Sequence, residues 1–102
     1  MDEYEEKIAL YSQDENLCKT IFDLANKLMT ISDIATITDI EEDVLIIAIR
    51  NGDNELSKNY RKGKAERIKF MHEQEIELAA AGSNQGVENL HAYLNQMNSE
   101  DS

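Results

Sequence analysis

Residues 31–50 read ISDIATITDIEEDVLIIAIR, and the fold turns on how their apolar side chains are spaced. Ala35 is small, Asp39 stands four positions on, Ile40 follows, and Leu45 and Ala48 complete the set, with Ile34 beside Ala35. Two short helices that cross at a fixed angle need such a pattern: a small residue at the crossing, a tight turn, then apolar residues after it. The turn of a helix-turn-helix usually carries Gly for its positive φ, and Asp tolerates that conformation better than most residues. The spacing therefore predicts a helix-turn-helix-like pair, with a generic helical pair as the plain alternative.

The second helix of such a motif normally presents its first turn to base edges. Here that turn is Glu41-Glu42-Asp43. Acids suit a helix N-terminus because of its dipole, and a single carboxylate can accept a hydrogen bond from cytosine. Three together oppose docking against phosphates. Ile46 and Ile47 are expected to face outward beyond them, where they read no donor or acceptor pattern. An outward apolar surface flanked by acids suits a protein partner. Glu41, Glu42, Asp43, Ile46 and Ile47 are thus candidate partner-binding residues, and this helix is not expected to read DNA.

Working outward, the chain reads as helical throughout. It has 102 residues, no proline and four glycines, too little turn chemistry for a strand-rich fold. Tyr4, Ile8 and Tyr11 recur at helical spacing, so residues 2–12 form either a short helix or a loose acidic segment. Asp14 is a candidate cap for a second helix with Leu17, Ile21, Leu24 and Leu28 on one face. Thr30 or Ser32 caps a third, and Thr38 or Asp39 a fourth over about 41–51, with Gly52 at its C-cap. A long helix is expected from about Asn54 to Ala81, with Leu56, Tyr60, Ile68, Met71, Leu78 and Ala79 on one broad face. Gly63 within it marks either a tight packing point or a break. Gly82-Ser83 reads as a C-cap followed by an N-cap. Val87, Leu90, Leu94 and Met97 then form the stripe of a last helix that folds back as a hairpin.

Charge is unevenly distributed along a chain whose net charge is −11. Residues 1–57 hold 14 acids and 4 bases, residues 58–69 hold 6 bases and 1 acid, and residues 70–102 hold 6 acids and no Lys or Arg. An acidic chain is repelled by nucleic acid, so any DNA contact belongs to the basic run. That run also reads as an ordinary solvated helix face. At about 100° per residue, Lys58, Arg61, Lys62 and Lys69 fall on one side and are the candidate phosphate contacts. Lys64 and Arg67 fall on the apolar side, where packing or ion pairing is expected.

The remaining features exclude more than they suggest. No apolar run approaches the roughly 18 residues of a membrane span, and the acidic start MDEYEEK is unlike a signal peptide. A single cysteine, Cys18, fits a reducing cytoplasm and reads as a buried, inert thiol. His72 lies in HEQE without the second histidine that a zinc protease needs. No catalytic dyad, phosphate loop, metal site or cofactor site is expected, and the chain does not read as an enzyme.

The order of three elements adds a resemblance. Tyr60-Arg61-Lys62-Gly63-Lys64-Ala65 follows the helix-turn-helix-like box, ELAAAGS comes next at 77–83, and VENLHAYL at 87–94. This order resembles small terminase subunits of tailed phages and prophages over roughly residues 17–97. The resemblance implies Ile34, Ala35, Ile40 and Leu45 as the motif core, and Tyr60, Gly63 and Gly82-Ser83 as the matching hairpin positions. It further implies a non-enzymatic DNA-packaging accessory subunit of the bacterial host cytoplasm. Such a subunit self-assembles, binds double-stranded DNA and recruits a large terminase subunit. The acidic second helix departs from that pattern. The alternative is an acidic protein-interaction module on a degenerate helix-turn-helix fold, acting as an antagonist of another regulator.

The expected architecture is all-α. An acidic segment over 1–13 precedes a helix-turn-helix-like domain over 14–52, a helical hairpin over 53–98 and a disordered tail over 99–102. The hairpin stripes give it more apolar surface than one small domain can cover. Met71, Leu78, Val87, Leu90, Leu94 and Met97 are therefore the candidate oligomerisation residues of a homo-oligomer.

Overall fold

A computed structural model describes residues 2–82 and 84–101, with side-chain surroundings for 2–82 and 84–97. Among the described residues the chain is all-α, with α1 (Glu3–Ser12), α2 (Glu15–Asn26), α3 (Ile31–Thr38), α4 (Glu42–Asn51), α5 (Glu55–Ala80) and α6 (Asn84–Asp101). It divides into two compact units, Met1–Arg67 and Ile68–Ser102, and α5 contributes residues to both. The sequence places a boundary after Gly52, whereas the first unit runs on to Arg67 because the early turns of α5 pack into it.

The first three helices begin on side-chain caps. Asp2 accepts from the Glu5 amide at 2.8 Å, Asp14 from the Leu17 amide at 3.0 Å and Thr30 from the Asp33 amide at 3.1 Å. Each satisfies an otherwise orphaned N–H, worth about 1 kcal/mol. α1 is a helix rather than a loose segment, with Ile8 buried and Tyr11 packed on the core.

α2 buries Cys18, Ile21 and Ala25 and half-buries Leu17 and Leu24. Leu28, expected on the same face, lies beyond the helix. It adopts φ 59° and is 45% exposed. The Leu28 amide donates to the Ala25 carbonyl at 2.9 Å and the Met29 amide to the Leu24 carbonyl at 3.2 Å. These bonds close α2 in a left-handed exit, and the apolar spacing continues one turn past the helix that it implied.

α3 and α4 meet around the expected residues. Ile34, Val44, Leu45 and Ala48 are fully buried, Ala35 is 3% exposed and Ile40 4%. Asp39 supplies the left-handed turn with φ 60°, and the Ile40 amide donates to the Ala35 carbonyl at 3.1 Å. Asp39 therefore ends α3 and does not cap α4, which follows Glu41 without a side-chain cap bond. The expectation that Ile46 and Ile47 face outward is also corrected. Both are half-buried, and Ile47 packs against the core because α4 is flanked on two sides, by α3 and by α1.

α5 closes the open ends of two earlier helices. Asn54 accepts from the Ser57 amide at 2.9 Å and donates to the Ala48 carbonyl at 2.7 Å. Ser57 donates to the Ile49 carbonyl at 3.2 Å, as does Arg61 at 3.3 Å. At α2, the Asn26 side chain donates to the Gly63 carbonyl at 3.0 Å and Arg67 Nε donates to the Asn26 carbonyl at 2.7 Å. Gly63 is the tight packing point and not a break. A Cβ there would lie 3.0 Å from the Phe22 carbonyl carbon, 3.1 Å from its Cα and closer still to its oxygen.

In the second unit α6 packs on the last turns of α5 as a hairpin. Gly86 makes the approach possible, since a Cβ on it would lie 2.6 Å from the Ala79 nitrogen and 2.9 Å from the Glu75 oxygen. His72 of α5 and Tyr93 of α6 stack with ring centroids 3.6 Å apart. Gly82 turns the chain with φ 89°, and Ser83, the expected N-cap, lies outside the described residues. α6 continues through Asp101, so residues 99–101 are helical where a disordered tail is expected, and Ser102 lies outside the described residues.

Gly63→Ala provides a test of this packing with a definite sign. Alanine favours a helix over glycine by about 1 kcal/mol. Here its Cβ would strike backbone, and overpacking of this kind costs about 1–3 kcal/mol. Urea denaturation should show a net loss of stability. Ala65→Gly, at an exposed position of the same helix, should cost only about 1 kcal/mol.

Candidate functional site

The acidic first turn of α4 already has partners within the chain. Lys7 of α1 reaches both Glu41 carboxylate oxygens, at 2.9 and 3.0 Å, and lies 3.3 Å from Glu3. The Tyr4 hydroxyl donates to Asp43 at 3.0 Å. The α1 stripe that buries Ile8 sets these two side chains beside α4, because positions 4, 7, 8 and 11 share one helix face. Glu41, Glu42 and Asp43 are all exposed, and the α1 acids Asp2, Glu3, Glu5 and Glu6 lie at the same end of α1. Glu41 and Asp43 are thus brought together with Lys7 and Tyr4, neither of which the sequence assigned to a site, while Ile47 packs on the core and Ile46 is half-buried.

These contacts shift two groups in the same direction. The hydrogen bond to Glu41, followed by that to Glu3, raises the Lys7 ammonium above the ordinary lysine value. The hydrogen bond to Asp43, reinforced by that carboxylate's charge, raises the Tyr4 hydroxyl above the ordinary tyrosine value. Both shifts favour the protonated form, so what these contacts add to stability is fully present below the ordinary Tyr and Lys range, about pH 10. It is lost as pH rises through the raised values.

The basic run divides into fixed and solvated members. Arg61, a candidate phosphate contact, is exposed and also donates to the Ile49 carbonyl at the end of α4 at 3.3 Å. Arg67 is held at the Asn26 carbonyl, which agrees with the expected packing role. Lys64 stands 6.0 Å above the Tyr60 ring, and Tyr60 packs on the core. Lys58, Lys62 and Lys69 are exposed; Lys58 pairs with Glu55 at 3.5 Å and Lys69 with Glu73 at 3.7 Å. Exposed pairs at i,i+3 and i,i+4 are worth a few tenths of a kcal/mol and leave both ammonium groups accessible.

The candidate oligomerisation residues all belong to the second unit, and none is buried. Met71 is 41% exposed, Leu78 47%, Val87 39%, Leu94 48% and Met97 57%, and Leu90 is half-buried. Ile68, Phe70 and Ile76 add to this surface. Periodicity found the stripe but not Phe70 or Ile76, which lie off it.

Cys18 is buried, and burial pushes its thiol above the ordinary cysteine value, away from the reactive thiolate. Among the described residues no group of three or more His, Cys, Asp or Glu is placed to hold a metal ion, and no helix is long and apolar enough to cross a membrane.

The Tyr4–Asp43 contact can be read directly by alkaline titration of tyrosinate absorbance. The wild-type chain should show a late-ionising component that disappears in Tyr4→Phe. In Asp43→Asn that component should move down towards the ordinary tyrosine value. An unchanged profile in Asp43→Asn would show that the contact does not persist in solution.

Comparison of the chain with family models, with curated proteins and with solved structures finds no match.

Proposed function

We propose that the chain is a non-enzymatic accessory subunit that self-assembles through its α5–α6 hairpin, similar to the small terminase subunits that package phage DNA. One observation carries the reading: among the described residues of Ile68–Ser102, no large apolar side chain is buried. A two-helix unit that buries none of its large apolar side chains is a poor match for a monomer in water. The order of elements, a bundle built around the α3–α4 crossing followed by a hairpin, supports the same assignment. In this reading DNA phosphates meet Lys58 and Lys62, with Lys69 a separate contact on the other unit, and α4 does not enter a groove. A large terminase subunit is the implied protein partner.

The acid-rich surface favours a second reading. Glu41 and Asp43 are tied to α1 beside further carboxylates, which suits an acidic interaction module that binds a basic regulator and not DNA.

Two measurements separate these readings. Size exclusion with light scattering should give a mass well above the 11.6 kDa of one chain, and a clean monomer at high micromolar concentration would sink self-assembly. Duplex binding titrated against salt should weaken with a slope of about −0.9 for each phosphate-neutralising lysine. Lys58→Gln with Lys62→Gln should flatten that slope, and Arg61→Gln should act on stability instead. Glu41→Gln, Glu42→Gln and Asp43→Asn together should leave duplex binding unchanged or stronger, since like charge is removed. Absence of wild-type binding at about 50 mM salt would favour the acidic module.

A further inference from the structure

A small groove opens where the end of α2 meets α5. Ala25, Leu28, Met29, Thr30, Tyr60 and Lys64 line about 200 Å³ there. That is below the roughly 300–1,000 Å³ of a site for a cofactor or metabolite and suits a single side chain. Ala25, Met29 and Tyr60 belong to the core or pack on it, which makes the walls apolar. The Lys64 ammonium stands 6.0 Å from the Tyr60 ring centroid. Leu28 is the irregular member. A left-handed residue that closes a helix is usually glycine, and this chain places Gly52 after α4 and Gly82 after α5, with φ 76° and 89°. Leu28 takes φ 59° with its side chain 45% exposed, so neither the backbone nor burial accounts for a leucine at this position. A strained residue kept at the surface points to a contact made outside the fold.

We propose that this groove docks an acidic segment of a partner protein, which seats one apolar side chain against Leu28 and sets a carboxylate beside Lys64. Charge selects this occupant. The chain carries a net charge of −11, and two larger grooves of the same unit are lined by carboxylates, Glu15 and Glu55 in one and Glu5, Asp53 and Glu55 in the other. Here Lys64 is the one charged residue of the lining. Lys27 precedes Leu28 in the chain and is exposed, and among the described residues neither Lys27 nor Lys64 pairs with a carboxylate. Asn26 donates to the Gly63 carbonyl at 3.0 Å, which sets their neighbours Lys27 and Lys64 in one region. Two unpaired ammonium groups beside an apolar hole attract a carboxylate that is carried next to an apolar side chain. A phosphate backbone answers the lysines but offers nothing to the apolar walls. Every residue of the groove belongs to the first unit, so docking here is separate from self-assembly through the hairpin.

The test is a titration of the full isotope-labelled chain with three short synthetic peptides, read by amide chemical shifts. The first places a single phenylalanine among glutamates, the second replaces that phenylalanine with alanine, and the third replaces the glutamates with lysines. The first should shift the amides of residues 25–30, 60 and 64 saturably, and the other two should bind about tenfold more weakly or worse. Lys64→Gln should weaken the first peptide by about tenfold. Leu28→Gly separates contact from fold: it relieves the left-handed strain, so the urea midpoint should hold or rise, while affinity for the first peptide should fall by about tenfold. Equal affinity for the three peptides, no shifts at millimolar peptide, shifts confined to other residues, or full affinity in Leu28→Gly would each overturn the docking site. Duplex binding that falls in Lys64→Gln and Leu28→Gly alike would assign the surface to nucleic acid. A fall in wild-type mass on Leu28→Gly, by light scattering, would assign it to a second copy, and either of these results also overturns the proposal.

Discussion

In the N-terminal unit the other contacts follow from one close approach of backbone to backbone. Gly63 of α5 lies against Phe22 of α2 with no room for a Cβ between them. With the helices that close, Asn26 reaches the Gly63 carbonyl and Arg67 reaches the Asn26 carbonyl, closing the C-terminus of α2. A few turns earlier, Asn54, Ser57 and Arg61 close the C-terminus of α4 in the same way. Helix ends leave carbonyls that need partners, and an unsatisfied buried one costs about 1–3 kcal/mol. α5 supplies the partners for two helices at once, while Leu56, fully buried, inserts into the core that they share.

That arrangement changes how the charge of the chain should be read. The basic run is the one stretch where positive charge exceeds negative by a wide margin, yet two of its six bases are structural. Arg61 and Arg67 are the two arginines of the run, and the guanidinium fork suits carbonyl oxygens at fixed positions better than a lysine ammonium does. The lysines remain at the surface. At α4 the acidic turn is likewise partly consumed within the fold, by Lys7 and Tyr4. Charge that a linear reading assigns to partners is divided between holding helices in place and facing solvent.

The hairpin follows a different logic. Two helices present only one seam to each other, and here small or flat groups occupy it: Gly86 against Ala79, and His72 against Tyr93. Large apolar residues flank the seam and stay largely in water. A two-helix unit cannot bury both flanks of both helices, so the burial missing from this unit is a property of its geometry.

The sequence by itself determined the all-α class, the cap at Asp14, a cap at Thr30 or Ser32, the turn at Asp39, the C-cap at Gly52 and the buried set around Ala35, and the structure selects Thr30. These depend on local chemistry: a side chain bonding an amide three residues on, a left-handed turn, and a helical period. Asp14 and Thr30 each act within a few residues of themselves. Only the tertiary structure decided that Leu28 leaves the core, that Ile47 joins it, that Arg61 reaches the Ile49 carbonyl, and that Lys7 and Tyr4 meet the acidic turn. The partners in these last contacts are 12, 34 and 39 residues apart. Spacing within one helix tells which side chains share a face, but a carbonyl or carboxylate becomes a partner only when another helix is packed beside it.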